Sequence, residues 1–224
     1  LDFPPVVIGG GPAGLFAALL LSTHGYRPVL LERGGDVEER IDALLRFKNT
    51  RVSDPECNAL FGLGGAGTFS DGKLKTGVSH PWLENVLETL AALGAPRRIC
   101  IDAKPHIGTD VLVRVTAAMA ARIRDNGGEV RCGVRFDGPV IDKGRLCGIE
   151  TSLGRMDCGA AVLAIGHSAR DTWQSLKQKG AVIEPKPFQL GIRVEHEQAW
   201  LDERMYGKAA GHEALGAADY KLAA

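Results

Sequence analysis

The chain predicts an α/β fold built on a parallel sheet, and three observations carry that prediction. A short apolar run, Pro5-Val6-Val7-Ile8, is followed at once by Gly9-x-Gly11-x-x-Gly14. An apolar helix and a second apolar run, Pro28-Val29-Leu30-Leu31, come next and end on Glu32. A long amphipathic helix over Thr109–Asn126 then delivers the chain into a third strand, Glu129 to Phe136. Short apolar strands alternating with helices are the pattern of a sheet covered on both faces.

Each part of the opening unit has a mechanical reason. Gly9 permits a tight strand-to-helix turn, Gly11 lets a pyrophosphate approach the backbone, and Gly14 lets helix and strand pack closely. Pro12 suits the first helical turn and Gly25 caps the helix end. The helix start offers free N–H groups and roughly half a positive charge to an anion. Glu32 stands 18 residues beyond Gly14, near the spacing of a carboxylate that holds ribose hydroxyls. A carboxylate there repels a 2′-phosphate by ~4 kcal/mol per unit charge at ~4 Å and an effective dielectric of ~20. The unit is therefore expected to bind a dinucleotide with an unphosphorylated adenosine ribose.

The remainder of the chain bears on which dinucleotide. The 96 residues from Arg33 to Gly128 separate the second strand from the third, too many for a simple NAD-domain crossover. Asp36-Val37-Glu38-Glu39, close to a capping box, starts a helix with Ile41, Leu44 and Leu45 on one face. Phe61 to Gly77 holds six glycines in seventeen residues, a second glycine-rich loop. A helix is expected over Pro81–Leu93 and a strand over Ile99–Ile107. Lys186 to His196 alternates, with Phe188, Leu190, Ile192 and Val194 on one face of an expected half-buried strand.

Composition removes other classes. Of 224 residues, 45% are hydrophobic and 24% charged, ordinary for a soluble globular protein of one large or two small domains. Lysine plus arginine and aspartate plus glutamate both number 27, so neither nucleic acid nor an anionic membrane is expected as a partner. No apolar run approaches the roughly 20 residues of a membrane span, and the N-terminus shows no signal-peptide pattern. Five dispersed cysteines without C-x-x-C fit a reduced compartment, so the cytoplasm is the expected location. The histidines form no H-x-x-x-H or Cys/His cluster, and no metal site is expected.

Several segments carry a more specific likeness: VIGGGPAGLFAALLL, LERGGDVEER, FGLGGAGTFSDGKL, KPHIGTD, LAIGHSARDTW, KPFQLGIRVEH and LGAADYKL. Together they span nearly the whole chain. The chain resembles the glutathione-reductase-type FAD-binding superfamily, and within it the largely uncharacterised bacterial FAD-dependent dehydrogenases. The resemblance implies a Rossmann-like FAD-binding domain (parallel sheet, βαβ unit, antiparallel meander) with part of a second, substrate domain. It places 1–95 and 108–180 in the first, and 96–107 and 181–224 in the second. It also implies a longer protein that continues C-terminally.

The resemblance further implies roles. Gly9, Gly11, Pro12, Ala13 and Gly14 would face the pyrophosphate, and Glu32 with Arg33 the adenosine ribose. Val134, in the third strand, would meet the adenine. Gly64, Gly65, Ala66, Gly67 and Thr68 would run along the ribityl chain and flavin, and Ala164, Gly166 and His167 would return to the cofactor. One position departs: where the family reads F-G-E-G-G-A-G-T, this chain has Leu63. That glutamate is either a group acting near the flavin or a loop-anchoring acceptor.

The expected function is that of an FAD-dependent oxidoreductase (dehydrogenase) moving hydride to or from a small-molecule substrate, with NAD(P)H a candidate electron donor. Two catalytic candidates stand out. Lys73 is either a cation that stabilises reduced flavin or a solvated turn lysine. Arg193 either grips a substrate carboxylate or phosphate or pairs with Glu195. His106 and His196 read as structural. Two alternatives stay open: a flavin-binding module without turnover, for which Leu63 is the hint, and an NAD-binding Rossmann protein.

Overall fold

Val6–Ile8 (β1) runs at the heart of a four-stranded parallel sheet. Its neighbours are Val29–Leu31 (β2) on one side and Ala161–Leu163 (β7) on the other, with Glu129–Arg131 (β3) beyond β2. Ile8 lies opposite both Leu31 and Leu163, so the three strands end level. The computed structural model describes residues 3–69, 72–74, 80–102, 105–188, 190–192 and 194–220.

The apolar composition of β1 and β2 follows from burial on both faces. Val6, Ile8, Val29 and Leu31 point to one cluster with Val134, Phe136, Ile149 and Leu176. Val7 and Leu30 point to the other, with Leu15, Ala18, Met119 and Ile123. The second cluster lies under helices Pro12–Thr23 (α1) and Thr109–Asp125 (α4). The first lies under an antiparallel meander of Phe136–Asp142 (β4), Arg145–Thr151 (β5) and Gly154–Asp157 (β6), with helix Arg170–Gln178 (α5) beside it. This is the expected α/β architecture.

Between β2 and α4 the chain forms helices Val37–Thr50 (α2) and Trp82–Ala92 (α3). A capping box starts α2: Asp36 Oδ1 accepts from the Glu39 N–H and Glu39 Oε2 accepts from the Asp36 N–H, each at 2.9 Å. Asp36→Ala should cost about 1 kcal/mol in chemical denaturation, a loss that Asp36→Ser largely restores.

The structure departs from the sequence expectations at five points. The third strand stops at Arg131, because Gly133 adopts φ +71 and turns the chain. Val134 therefore follows the strand rather than lying in it, and Phe136 opens the meander. Ile99–Ile107 forms no strand among its described residues; Arg97–Cys100 is a 3-10 turn that buries Ile99 with Leu90, Ala95, Ile107 and Val115. That packing also sets 96–107 within the first of two compact units, 1–182, rather than with 183–224. Helix α2 buries Val37, Arg40 and Ala43, leaving Ile41 and Leu45 exposed. Finally, the described residues of 186–196 form no strand: Phe188, Leu190 and Ile192 are 84, 90 and 90% exposed. A strand needs a neighbour for its backbone groups, and none pairs with this segment among the described residues.

The second unit holds helix Gln198–Tyr206 (α6). Asp202 Oδ1 accepts from the Ala218 N–H at 2.7 Å and from Gln198 at 2.8 Å. His196 stacks on Trp200 and shares a hydrogen bond with the Tyr220 hydroxyl, a local tie within this unit.

Candidate cofactor site

The strand ends, the first glycine turn and the second glycine loop converge on one cavity of about 500 Å³. It opens at the carboxyl ends of β1, β2 and β7, where the chain leaves β1 in one direction and returns through β7 on the other side. Such a switch point is where open α/β sheets bind ligands.

The first wall is Gly9, Gly11, Pro12 and Ala13. Gly9 sits at φ +104, its N–H donates to the Leu31 carbonyl at 2.7 Å, and a Cβ there would strike the Ala164 carbonyl. Gly14 does not line the cavity; a Cβ on it would run into the Gly9 carbonyl oxygen, so its task is close packing of α1 on β1. No side chain caps α1 and no acidic residue occupies its first turn. No side chain of the helix's own first turn therefore offsets its positive end at the cavity wall.

The second wall is Gly65, Ala66 and Gly67. The Gly64 N–H donates to the Gly10 carbonyl at 2.8 Å, and a Cβ on Gly65 would lie 3.0 Å from Gly11 Cα. The two glycine segments thus touch back to back. Gly64, Gly67 and Thr68 also border a second, mostly apolar cavity of about 270 Å³ shared with Leu15, Leu90 and Met119. The third wall is Ala164, Gly166 and His167, anchored by the Ala164 N–H to the Ile8 carbonyl at 2.8 Å. Val134 closes the far side, its N–H donating to the Glu32 carbonyl at 2.9 Å. Phe61 and Trp173, not among the residues expected at the site, also line the cavity; Trp173 Nε1 donates to the Gly166 carbonyl at 3.2 Å.

Glu32 is 5% exposed and serves both loops at once. Its Oε2 accepts from the Gly10 N–H at 2.6 Å, and its Oε1 accepts from Gly34 and Gly62 N–H groups, each at 2.9 Å. One carboxylate therefore ties the first glycine turn, the end of β2 and the second glycine loop. A carboxylate offers about four lone-pair sites, so three are engaged here.

Arg33 faces the cavity rim and is held by Glu56 at 2.8 Å and by both oxygens of Asp171 at 2.8 and 3.0 Å, over the Phe61 ring at 4.4 Å. Burial works to lower the guanidinium, but the hydrogen bonds to Asp171 and Glu56 outweigh it and hold it above the ordinary arginine range. Hydrogen bonds from Arg33 in turn hold Glu56 and Asp171 below the usual carboxylate range. A depressed carboxylate adds stability above its ordinary pKa and loses it as pH falls through the folded value. Glu56→Gln should thus lower the melting temperature at neutral pH, and the gap to wild type should narrow below about pH 4. Thermal melts across that range check it.

Other titratable groups offer less chemistry. Burial, with the Glu32 and Asp36 charges, pushes the Cys132 thiol up to about 12, so it stays neutral near pH 7. Lys73 pairs with His106 in an isolated antiparallel bridge and borders the smaller cavity near Thr68 and Thr116. Arg193 lies outside the described residues. Leu63 is 3% exposed in the α1–α4 core and lines neither cavity.

Residues 2–43 match the model of the FAD binding domain family. Residues 187–224 match the model described as "FAD-dependent protein, C-terminal domain-like". The cofactor is FAD. The cradle fits it: an uncapped helix start for a pyrophosphate, and Gly67 and Gly166 where an added Cβ would meet only open space. A protein of Clostridium beijerinckii (strain ATCC 51743 / NCIMB 8052), named "Uncharacterized protein", is 41% identical over 218 residues. The match covers 97% of this chain and 41% of that protein, so the chain spans about two fifths of the relative's length. Among solved structures, Thermovibrio ammonificans THI4 superposes with a TM-score of 0.50 at 21% identity, covering 80% of this chain and 63% of its own. Glycine oxidase from Bacillus cereus ATCC 14579 gives 0.48 at 15% identity, covering 77% and 57%. The THI4 likeness is one of fold. No helix among the described residues is long and apolar enough to cross a membrane.

Proposed function

We propose that the protein is an FAD-dependent oxidoreductase, a dehydrogenase that moves hydride to or from a small-molecule substrate. The observation that carries this reading is the meeting of three backbone segments, Gly9–Ala13, Gly65–Gly67 and Ala164–His167, around one cavity at the sheet's switch point. Bound FAD supplies the hydride chemistry. The chain's own task is to bind and orient it.

On this reading the N-terminus of α1 and Gly11 receive the pyrophosphate, through N–H groups and the helix dipole. The lone pair left on Glu32 accepts from the adenosine ribose, and Val134 borders the adenine. Gly64 to Thr68 follow the ribityl chain toward the flavin, with Lys73 next to that loop. NAD(P)H is the electron donor to try first. Turnover without Leu63 bearing a carboxylate is consistent with its place in the apolar core, away from both cavities.

The test uses purified protein loaded with FAD under anaerobic conditions. NADH, NADPH and a panel of small amines, hydroxy acids and amino acids are added while the flavin absorbance is followed. Bleaching by one of them, with recovery on adding an acceptor over repeated cycles, is the expected result. A flavin that dithionite reduces, but no biological donor reduces, contradicts the oxidoreductase reading.

A further inference from the structure

We propose that Arg40 is a positioning residue for the cofactor: it turns the Gly65–Ala66 peptide so that the Ala66 N–H faces the FAD cavity as a hydrogen-bond donor. The proposal rests on the lie of FAD set out above, with the second glycine loop along the ribityl and flavin end.

Arg40 is fully buried in α2. Its Nη1 donates to the carbonyls of Leu63 at 2.8 Å and Gly65 at 3.0 Å. Its Nη2 donates to those of Asn58 and Ala59, each at 3.2 Å. The guanidinium carbon lies 4.6 Å from the Phe69 ring centroid, and a Cβ on Gly62 would overlap the Arg40 stem. Among the described residues no carboxylate forms an ion pair with it, and Nε has no partner. Burying an unpaired charge is expensive. Here the charge is committed to four carbonyls of one loop.

The consequence follows from peptide geometry. In a trans peptide the C=O and the following N–H point in opposite directions. The Leu63 carbonyl turns to Arg40, and the Gly64 N–H accordingly points away and donates to the Gly10 carbonyl at 2.8 Å. The Gly65 carbonyl turns to the same Nη1, so the Ala66 N–H also points away from Arg40. Ala66 lines the cavity and Arg40 does not. No acceptor for the Ala66 N–H is found among the described residues. One guanidinium thus orients two peptides: the first locks loop to loop, and the second leaves a donor aimed at the cofactor. Lysine, a point charge without the planar fork, cannot hold four carbonyls in this arrangement.

The experiment titrates flavin-stripped protein with FAD and, separately, with ADP, for wild type, Arg40→Lys and Arg40→Met. ADP lacks the ribityl and flavin end. The proposal predicts that FAD binding weakens at least about tenfold in both variants while the ADP dissociation constant stays within about twofold of wild type. FAD affinity within about twofold of wild type, or a parallel loss of FAD and ADP binding, overturns it. Hydrogen exchange on the wild type decides the matter if the variants do not fold. The segment carrying the Ala66 amide should be protected by FAD and not by ADP, and absence of that protection overturns the proposal. A wild type that binds ADP but no FAD instead defeats the reading on which the proposal rests.

Discussion

Gly14→Val should leave a protein that retains no FAD and is destabilised by about 3 kcal/mol or more. Any Cβ at Gly14 would run into the Gly9 carbonyl oxygen, with Gly9 C at 3.0 Å and the Ala164 side chain at 3.4 Å. Neither neighbour can retreat easily: the Gly9 N–H is hydrogen-bonded to the Leu31 carbonyl, and the Ala164 N–H to the Ile8 carbonyl. Overpacking a filled site typically costs 1–3 kcal/mol, and here the displaced atoms are sheet backbone. Tilting α1 off β1 would also move its N-terminus from the cavity, so cofactor and stability should fall together. Gly25→Ala is the control. It has φ +82 but open space around it, so it should cost about 1 kcal/mol of backbone strain and leave FAD in place. Denaturant titration with flavin content measured on the same samples separates the two.

Glu32→Ala should be strongly destabilising. It strips the acceptor from three N–H groups, Gly10, Gly34 and Gly62. Each buried donor left unsatisfied costs about 1–3 kcal/mol, and water entering the gap recovers part, so a net loss of about 3–5 kcal/mol is expected. The charge of Arg40 also loses the attraction of Glu32, which offsets the burial that lowers the Arg40 pKa. Glu32→Gln keeps the shape but sets an amide NH₂ against at least one N–H, so it should lie between alanine and wild type. Because both glycine segments hang from this carboxylate, FAD affinity should fall about hundredfold in the alanine variant, equivalent to about 2.8 kcal/mol. A Glu32→Ala protein as stable as wild type would show that the two loops hold together without it.

The parts of the fold that were legible in the sequence are those in which neighbours in the chain are neighbours in space. Val6–Ile8, the glycine turn, α1 and β2 follow one another directly, and periodicity plus capping residues place them. Spacing marks Glu32 as the position for a ribose carboxylate; it does not show the three backbone partners, because Gly62 comes 30 residues later. Arg40 escaped for a related reason. Helical periodicity ranks Ile41, Leu44 and Leu45 as the inward face, whereas four distant carbonyls make the Arg40 side the buried one. The signal was available only as an arginine three positions from Val37 and three from Ala43, both buried. The strand expected at Ile99–Ile107 is not found among its described residues, because the chain after Pro96 makes a 3-10 turn that buries Ile99 against Leu90 and Val115. The alternation at Phe188–Val194 describes a face, and a face becomes a strand only when another backbone pairs with it.

An FAD site built from three backbone segments should hold its cofactor through purification. The most direct test is the identity and amount of cofactor released on denaturing the purified protein, before and after incubation with FAD and removal of the excess. FAD, at one per chain, is the expected result. A colourless protein that takes up no FAD, or one that releases NAD in its place, would contradict it.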